Sequence, residues 1–337
     1  MAAAPAVDSR IETPNHRLWI DGGVLGMLRR TGFAALALAP AVLLAGAATA
    51  QPDTGTTTAA RTAIVLAAGT AVVAERDVLD AIPLADTLHV RDAGVTVAAT
   101  VLGSVATYAL SVHADLGPVL ASAGVGLVAG LVVPAIAVAV YCGSFVGMAS
   151  PALFPTPVGV ATAGLAAGVG LVAADGVFDG VGGKLGTLAF AGCLAAAVAT
   201  PASFPSGTAL PTSTLLVAVP VAAVAAVVAF HLHAERGHST VVASALVGVL
   251  AVALRPALSH VTDAPLAAVA FCASFVGMSA PRRLHSNRVV ALAGALAAVV
   301  FLLTSPVFGG AGGKLGTTAF VACTAVVGVV ELQKELR

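Results

Sequence analysis

The chain has 337 residues, of which 58% are hydrophobic, 9% charged and 4% aromatic, with a mean hydropathy of +1.01. A soluble protein is about 25% charged, so this composition excludes a water-soluble globule, and its hydrophobicity excludes disorder. Sixteen Lys plus Arg balance sixteen Asp plus Glu, which leaves no basic excess for nucleic acid. What remains is an all-α, polytopic membrane protein whose first partner is the lipid bilayer.

A spanning helix needs about 20 mostly apolar residues. In chain order, such stretches run Thr31–Ala50, Thr57–Ala74, Ala93–Val112, Pro157–Ala174, Leu185–Phe204, Pro211–Phe230, Val289–Leu303 and Leu315–Val330. Two more are interrupted. Pro118–Ser150 carries no charge but is broken at Pro134, and Ser239–Ala280 is broken at Arg255-Pro256 and again at Pro265. Each reads as two short segments, either short crossings or a re-entrant pair, which brings the total to about 10–12 membrane segments. Such breaks persist in a membrane only where the freed backbone groups are buried in protein or face water.

The first span has two readings. Met27-Leu-Arg-Arg30, the apolar run from Phe33 to Ala47 and Ala48-Thr-Ala50 together resemble a signal peptide cleaved near Ala50. The plainer reading is an ordinary first transmembrane helix with a cytoplasmic N-terminus. Either way the protein is expected to be multi-pass in the cell membrane.

Self-similarity is the strongest signal. Val140–Pro151 (VYCGSFVGMASP) matches Ala270–Pro281 (AFCASFVGMSAP) at seven of twelve positions. Gly176–Cys193 (GVFDGVGGKLGTLAFAGC) matches Pro306–Cys323 (PVFGGAGGKLGTTAFVAC) at twelve of eighteen, also at an offset of 130. Upstream, Val112–Gly117 pairs with Leu232–Gly237 at an offset of 120. The chain therefore divides into residues 1–50 (first span), 51–92 (a further span and charged loop), 93–207 (first copy) and 208–337 (second copy).

Parity sets the orientation of the copies. If each broken stretch is two crossings or a re-entrant loop, each copy crosses an odd number of times and the second is inverted. Thirteen Lys and Arg then fall inside and three (Arg61, Arg255, Lys314) outside. One crossing per broken stretch gives parallel copies, an eleven-to-four split and Arg255 stranded in the membrane. Inversion fits the positive-inside rule better. Inverted repeats with discontinuous helices at matching places belong to transporters and some channels, whose sites lie where the copies meet.

Four groups of residues are candidates for that site. Gly182-Gly183-Lys184-Leu-Gly-Thr187 and Gly312-Gly313-Lys314-Leu-Gly-Thr317 each open an apolar helix. Helix N–H groups, the Lys charge and the Thr hydroxyl could there hold an anion or a carboxylate; the bland account is a snorkelling Lys and glycines for close packing. Leu rather than Ser or Thr follows the Lys, so this is not a P-loop. Ser144 and Ser274, in Ser-Phe-Val-Gly-Met, line a pathway on one reading and a packing seam on the other. Asp175 and Asp179 have no acidic counterpart in the second copy (Ser305, Gly309) and are candidates for coupling a proton or cation, or else interfacial and solvated. His113 with Asp115, and His233 with Glu235, read as polar helix ends.

The four cysteines pair by the repeat, Cys142 with Cys272 and Cys193 with Cys323. Gly186, Phe190 and Cys193 share one helix face, expected to pack against the other half, as do Gly316, Phe320 and Cys323. No zinc-protease, nucleophile-elbow or CxxC motif occurs in the sequence, and neither enzyme activity, metal nor cofactor is expected. The expected function is a transporter or channel for a small solute or ion, with a lean towards an anionic solute. The alternative is a non-transporting membrane scaffold or accessory subunit. A homo-oligomer is left open.

Overall fold

A computed structural model of the chain describes residues 22–50, 55–81, 90–258 and 265–336. Arg10, Arg17 and Arg337, which enter the charge count, and the residue after the signal-like segment, Gln51, lie outside them. Among the described residues every regular element is a helix. The helices are α1 (Gly22–Ala50), α2 (Gly55–Ala81), α3 (Val90–Val112), α4 (Gly117–Val132), α5 (Ala137–Val146), α6 (Pro157–Ala173), α7 (Lys184–Ala199), α8 (Leu215–Phe230), α9 (Thr240–Ala253), the single turn α10 (Arg255–Leu258), α11 (Leu266–Gly277), α12 (Asn287–Thr304) and α13 (Lys314–Glu335). Six of them (α1, α2, α3, α12, α13 and, with its flanking turns over Thr212–Glu235, α8) are long and apolar enough to cross a membrane. This is a membrane protein.

Helix ends follow local chemistry. Pro157 starts α6 at a position where its missing N–H costs nothing. Ser239 and Ser286 cap α9 and α12 by accepting from Val242 N–H (3.2 Å) and Val289 N–H (3.4 Å). The break at Pro134 is real: the ring disfavours helical backbone at the residue before it, and Val133 leaves the helix at φ −131°, ψ 57°. α7 is shorter than the sequence suggests. It ends at Ala199 because Thr200 precedes Pro201 and is extended (φ −127°, ψ 161°).

Each broken stretch folds back on itself. Ser122 Oγ lies 2.9 Å from Ser144 Oγ although 22 residues separate them, with the bend midway. α4 and α5 are thus the arms of a hairpin. In the second stretch Ser244 Oγ lies 2.8 Å from Ser274 Oγ, 30 residues on, so α9 and α11 form the same kind of pair. α3 packs on α5 and α6 as α8 packs on α11 and α12, and α6 on α7 as α12 on α13.

The two halves meet through antiparallel contacts. A Cβ on Gly130 of α4 would strike Val242 of α9, and one on Gly248 of α9 would strike Ala123 of α4, so those helices run in opposite directions. α7 and α13 do likewise: Gly183 lies on Phe320, Gly186 on Gly316, and Gly313 on Phe190. Loops exchange partners across the same seam. Ala280 N–H donates to Gly180 C=O (2.8 Å), and Ser150 N–H donates to Gly310 C=O (2.9 Å). α1 packs across both halves, with Leu36, Ala39 and Leu43 buried.

Candidate functional site

Small residues at the start of α7 and α13 bring the two backbones together. The Gly183 and Gly313 φ values are +84° and +78°, a left-handed backbone that favours glycine. Space demands glycine as well, since a Cβ at Gly183 would lie 2.4 Å from the Gly316 carbonyl oxygen and one at Gly313 2.3 Å from that of Gly186. Gly186 and Gly316 face each other directly. The expected shared face of Gly186 and Phe190 does pack on the other half, where Phe190 stands edge-on to Phe308 at 5.4 Å.

The polar groups of the same motif turn inward. Lys184 Nζ donates to the Ala174 carbonyl (2.7 Å), and Lys314 Nζ to those of Ser305 (3.4 Å) and Val307. Ala174 and Ser305 are the C-caps of α6 and α12, so each ammonium sits at the negative end of a helix dipole. Thr187 Oγ1 and Thr317 Oγ1 donate to Gly183 C=O (3.1 Å) and Gly313 C=O (3.3 Å) within their own helices and are fully buried. Gly182 N–H donates to Ser279 Oγ at 3.0 Å. Gly312 lies against the carbonyls of Phe145 and Val146. The donors expected to hold an anion are therefore largely taken by protein acceptors.

Above Lys184 opens a cavity of about 460 Å³. One wall comes from Val138, Leu171, Asp175 and the segment Asp179–Gly186; the opposite wall comes from His233, Thr240, Phe275, Met278 and Ala280–Arg282. Asp175 and Asp179 thus share a cavity with Lys184, Gly182 and Gly183. Asp179 pairs with Arg282, the carboxylate 69% and the guanidinium 61% exposed, and its carbonyl accepts from Arg283 Nε (3.0 Å). His233 Nε2 is 3.1 Å from Ser279 C=O.

A second cavity of about 400 Å³ repeats this arrangement. Val138, Leu171, Asp175, Lys184 and Leu185 line the first; Ala268, Phe301, Ser305, Lys314 and Leu315, each 130 positions later, line the second. Its remaining wall includes Thr208 and Leu210 from the segment joining α7 to α8.

At the inner end of the first cavity stand Phe145 and Phe275, ring centroids 4.7 Å apart. Behind them lie Tyr141, 4.4 Å from Phe145, and Phe271, 4.6 Å from Phe275. All four rings are buried. Gly126 and Gly248 make room for Tyr141 and Phe271, because a Cβ on either would strike the ring. Tyr141 OH is 3.0 Å from Ser244 Oγ, which ties the first hairpin to the serine pair of the second. Ser144 and Ser274 belong to this buried plug and line neither cavity.

Sequence reasoning missed Ser122, Ser244 and the ring quartet. A signal for the serines existed: Val119–Gly126 (VLASAGVG) matches Val241–Gly248 (VVASALVG) at six of eight positions at an offset of 122. It also missed Glu75, whose carboxylate is 3% exposed, accepts from Arg283 at 2.8 Å and accepts from the Phe178 N–H. The four thiols are buried and free. Cys142 Sγ points to Leu185 C=O (3.4 Å) and Cys272 Sγ to Leu315 C=O (3.1 Å).

No protein-family model, no characterised protein and no solved structure matches the chain.

Proposed function

We propose that the chain is a transporter or channel of the cell membrane, built from two inverted copies of a five-helix unit, α3–α7 and α8–α13, the second with the single turn α10 added. A small solute would pass along the seam between them. One observation carries this reading: the helices that match in sequence, α7 and α13, lie against each other antiparallel, and so do α4 and α9. An axis relating antiparallel equivalents lies across the helices, hence in the membrane plane, as in transporters built from inverted repeats.

α1 supports the same geometry. Phe33 stacks on Phe178 at 5.8 Å, while Gly46 lies against Phe308, the equivalent of Phe178. Their separation of 13 positions spans about 20 Å along a helix, so the two motif loops enter from opposite sides. α1 is bonded into the body by packing on both halves, which favours a retained first span over a cleaved signal. The bias of Lys and Arg then sets the N-terminus inside.

Hairpins that stop short, and two cavities sharing five repeat-equivalent positions of which the first reaches the rings of a buried plug, are what a gated path would use. The glycine seam alone would suit a scaffold, but a scaffold has no use for the cavity pair. The test is labelling of single cysteines at Asp175 and at Ser305, in protein whose four native cysteines are replaced by alanine. A membrane-impermeant maleimide should reach Asp175→Cys from one face of the membrane and Ser305→Cys from the other. Labelling of both from the same face would overturn the inverted arrangement and the transport reading with it.

A further inference from the structure

Resting on the transport reading, we propose that the solute is small, uncharged and hydrogen-bonding, and that the aromatic plug rejects ions of both signs. The first cavity offers no net attraction to an ion, because Lys184 and Arg282 are matched by Asp175 and Asp179 on its wall. A site concentrates ions when one sign of charge dominates its lining, and here neither does.

At the plug an ion of either sign meets apolar rings, since Phe145 and Phe275 line the inner side of the cavity. Furthermore, α4, α5, α9 and α11, which build the plug, contain no Asp, Glu, Lys or Arg. An ion stripped of water would find no counter-charge on them.

Hydroxyls are what these helices do supply. Ser122, Ser144, Ser244, Ser274 and Tyr141 sit among the rings in mutual hydrogen bonds. A hydroxyl both donates and accepts, so this group can exchange its internal bonds for bonds to a solute that carries both functions. Flat or compact neutral molecules with amide or hydroxyl groups fit that chemistry.

The experiment uses full-length protein in proteoliposomes. Influx of glycerol and acetamide is followed by light scattering, and release of potassium and chloride by ion-selective electrodes. At least one neutral probe should enter about tenfold faster than into protein-free vesicles, a barrier lowered by ~1.4 kcal/mol. Ions should move about a hundredfold more slowly than that probe, the ~3 kcal/mol cost of a charge at mid-membrane converted at the same rate. Phe145→Leu and Phe275→Leu should each change the ratio of glycerol to acetamide influx. Ion release as fast as neutral influx would overturn the solute class and leave transport standing. Silence with every probe would overturn both, and an unchanged ratio in both leucine variants would remove the plug from selection.

Discussion

Replacing Gly186 or Gly316 with alanine should destabilise the protein, although alanine is the better helix former. A Cβ on either residue would lie 2.5 Å from the other's Cα and 3.1 Å from its N. Carbon atoms prefer about 3.5–4.0 Å, so α7 and α13 would have to part by about 1 Å at their closest point. Both obstacles are backbone and cannot rotate away. Overpacking costs about 1–3 kcal/mol, and the upper half of that range applies here. The gain in helix propensity returns about 0.8–1 kcal/mol, which leaves a net loss of about 1–2 kcal/mol. Gly124 in α4 is the control, because a Cβ there meets nothing within 4 Å. Gly124→Ala should stabilise by about 0.5–1 kcal/mol. The double variant at Gly186 and Gly316 should cost less than the sum of the singles, since one parting of the helices accommodates both methyl groups. Thermal unfolding in detergent, followed by the helical circular dichroism band, reads these differences at roughly 2 °C per kcal/mol for a chain of this size. If all three single variants rose in Tm together, the seam would not be tight and the antiparallel contact would be misplaced.

Two neighbouring arginines should behave differently. Arg283 pairs with nearly buried Glu75, so Glu75→Ala should cost about 3 kcal/mol by leaving a guanidinium and the Phe178 N–H without their acceptor; Arg282→Ala breaks an exposed pair and should change stability by less than about 1 kcal/mol. A Tm scan separates them, and equal shifts would refute the burial argument. Within the plug, Tyr141→Phe gives the ring already present at Phe271 and should cost no more than about 1.5 kcal/mol, whereas Ser244→Ala orphans the buried Tyr141 hydroxyl and should cost about 1–3 kcal/mol; denaturant titration of the two variants should show that order. Lys184→Met and Lys314→Met should each lose up to about 2 kcal/mol of charge–dipole stabilisation at the ends of α6 and α12 while neutral-probe flux persists. Abolished flux from well-folded methionine variants would return the lysines to the solute path.

The sequence was most legible where backbone chemistry is local. Pro134 follows the end of α4, Pro256 sits in the single turn after α9 and Pro265 precedes α11, so the divided stretches could be placed to within a few residues, whereas Pro40 and Pro220 lie inside unbroken α1 and α8. The identical GGKLGT segments likewise revealed a shared local structure, down to the left-handed Phe178 and Phe308 (φ +49° and +50°). What a side chain faces was not legible. Nothing local states whether Lys184 will meet a solute or the end of α6, since that depends on the angle at which α7 leaves its loop. Ser122 and Ser244 were hidden because a hydroxyl in an Ala, Val and Gly background looks like a packing residue until its partner on the other arm is known. Glu75 lay outside both copies, and only tertiary contact ties it to the loops of each: Phe178 from the first and Arg283 from the second.

The two cavities are equivalent in position but not in closure, and that bears on how a path between them would open. The first mouth is crossed by the Asp179–Arg282 pair, more than half exposed on both sides, a contact worth at most about 1 kcal/mol. At the corresponding place in the second, Gly309 replaces Asp179, and the segment joining α7 to α8 lies across the loop. Gly309 N–H donates to Pro205 C=O (2.9 Å), Gly207 N–H donates to Pro306 C=O (2.8 Å), and Phe204 stands edge-on to Phe308 at 5.1 Å. Two hydrogen bonds at about 1 kcal/mol each and an aromatic contact at about 0.5–1.5 kcal/mol are of the same order as the exposed ion pair taken with the Arg283 Nε bond to the Asp179 carbonyl (3.0 Å). Under the transport reading, the two mouths are therefore held by different contacts: charged side chains on the Asp175 side and, on the other, the connecting segment.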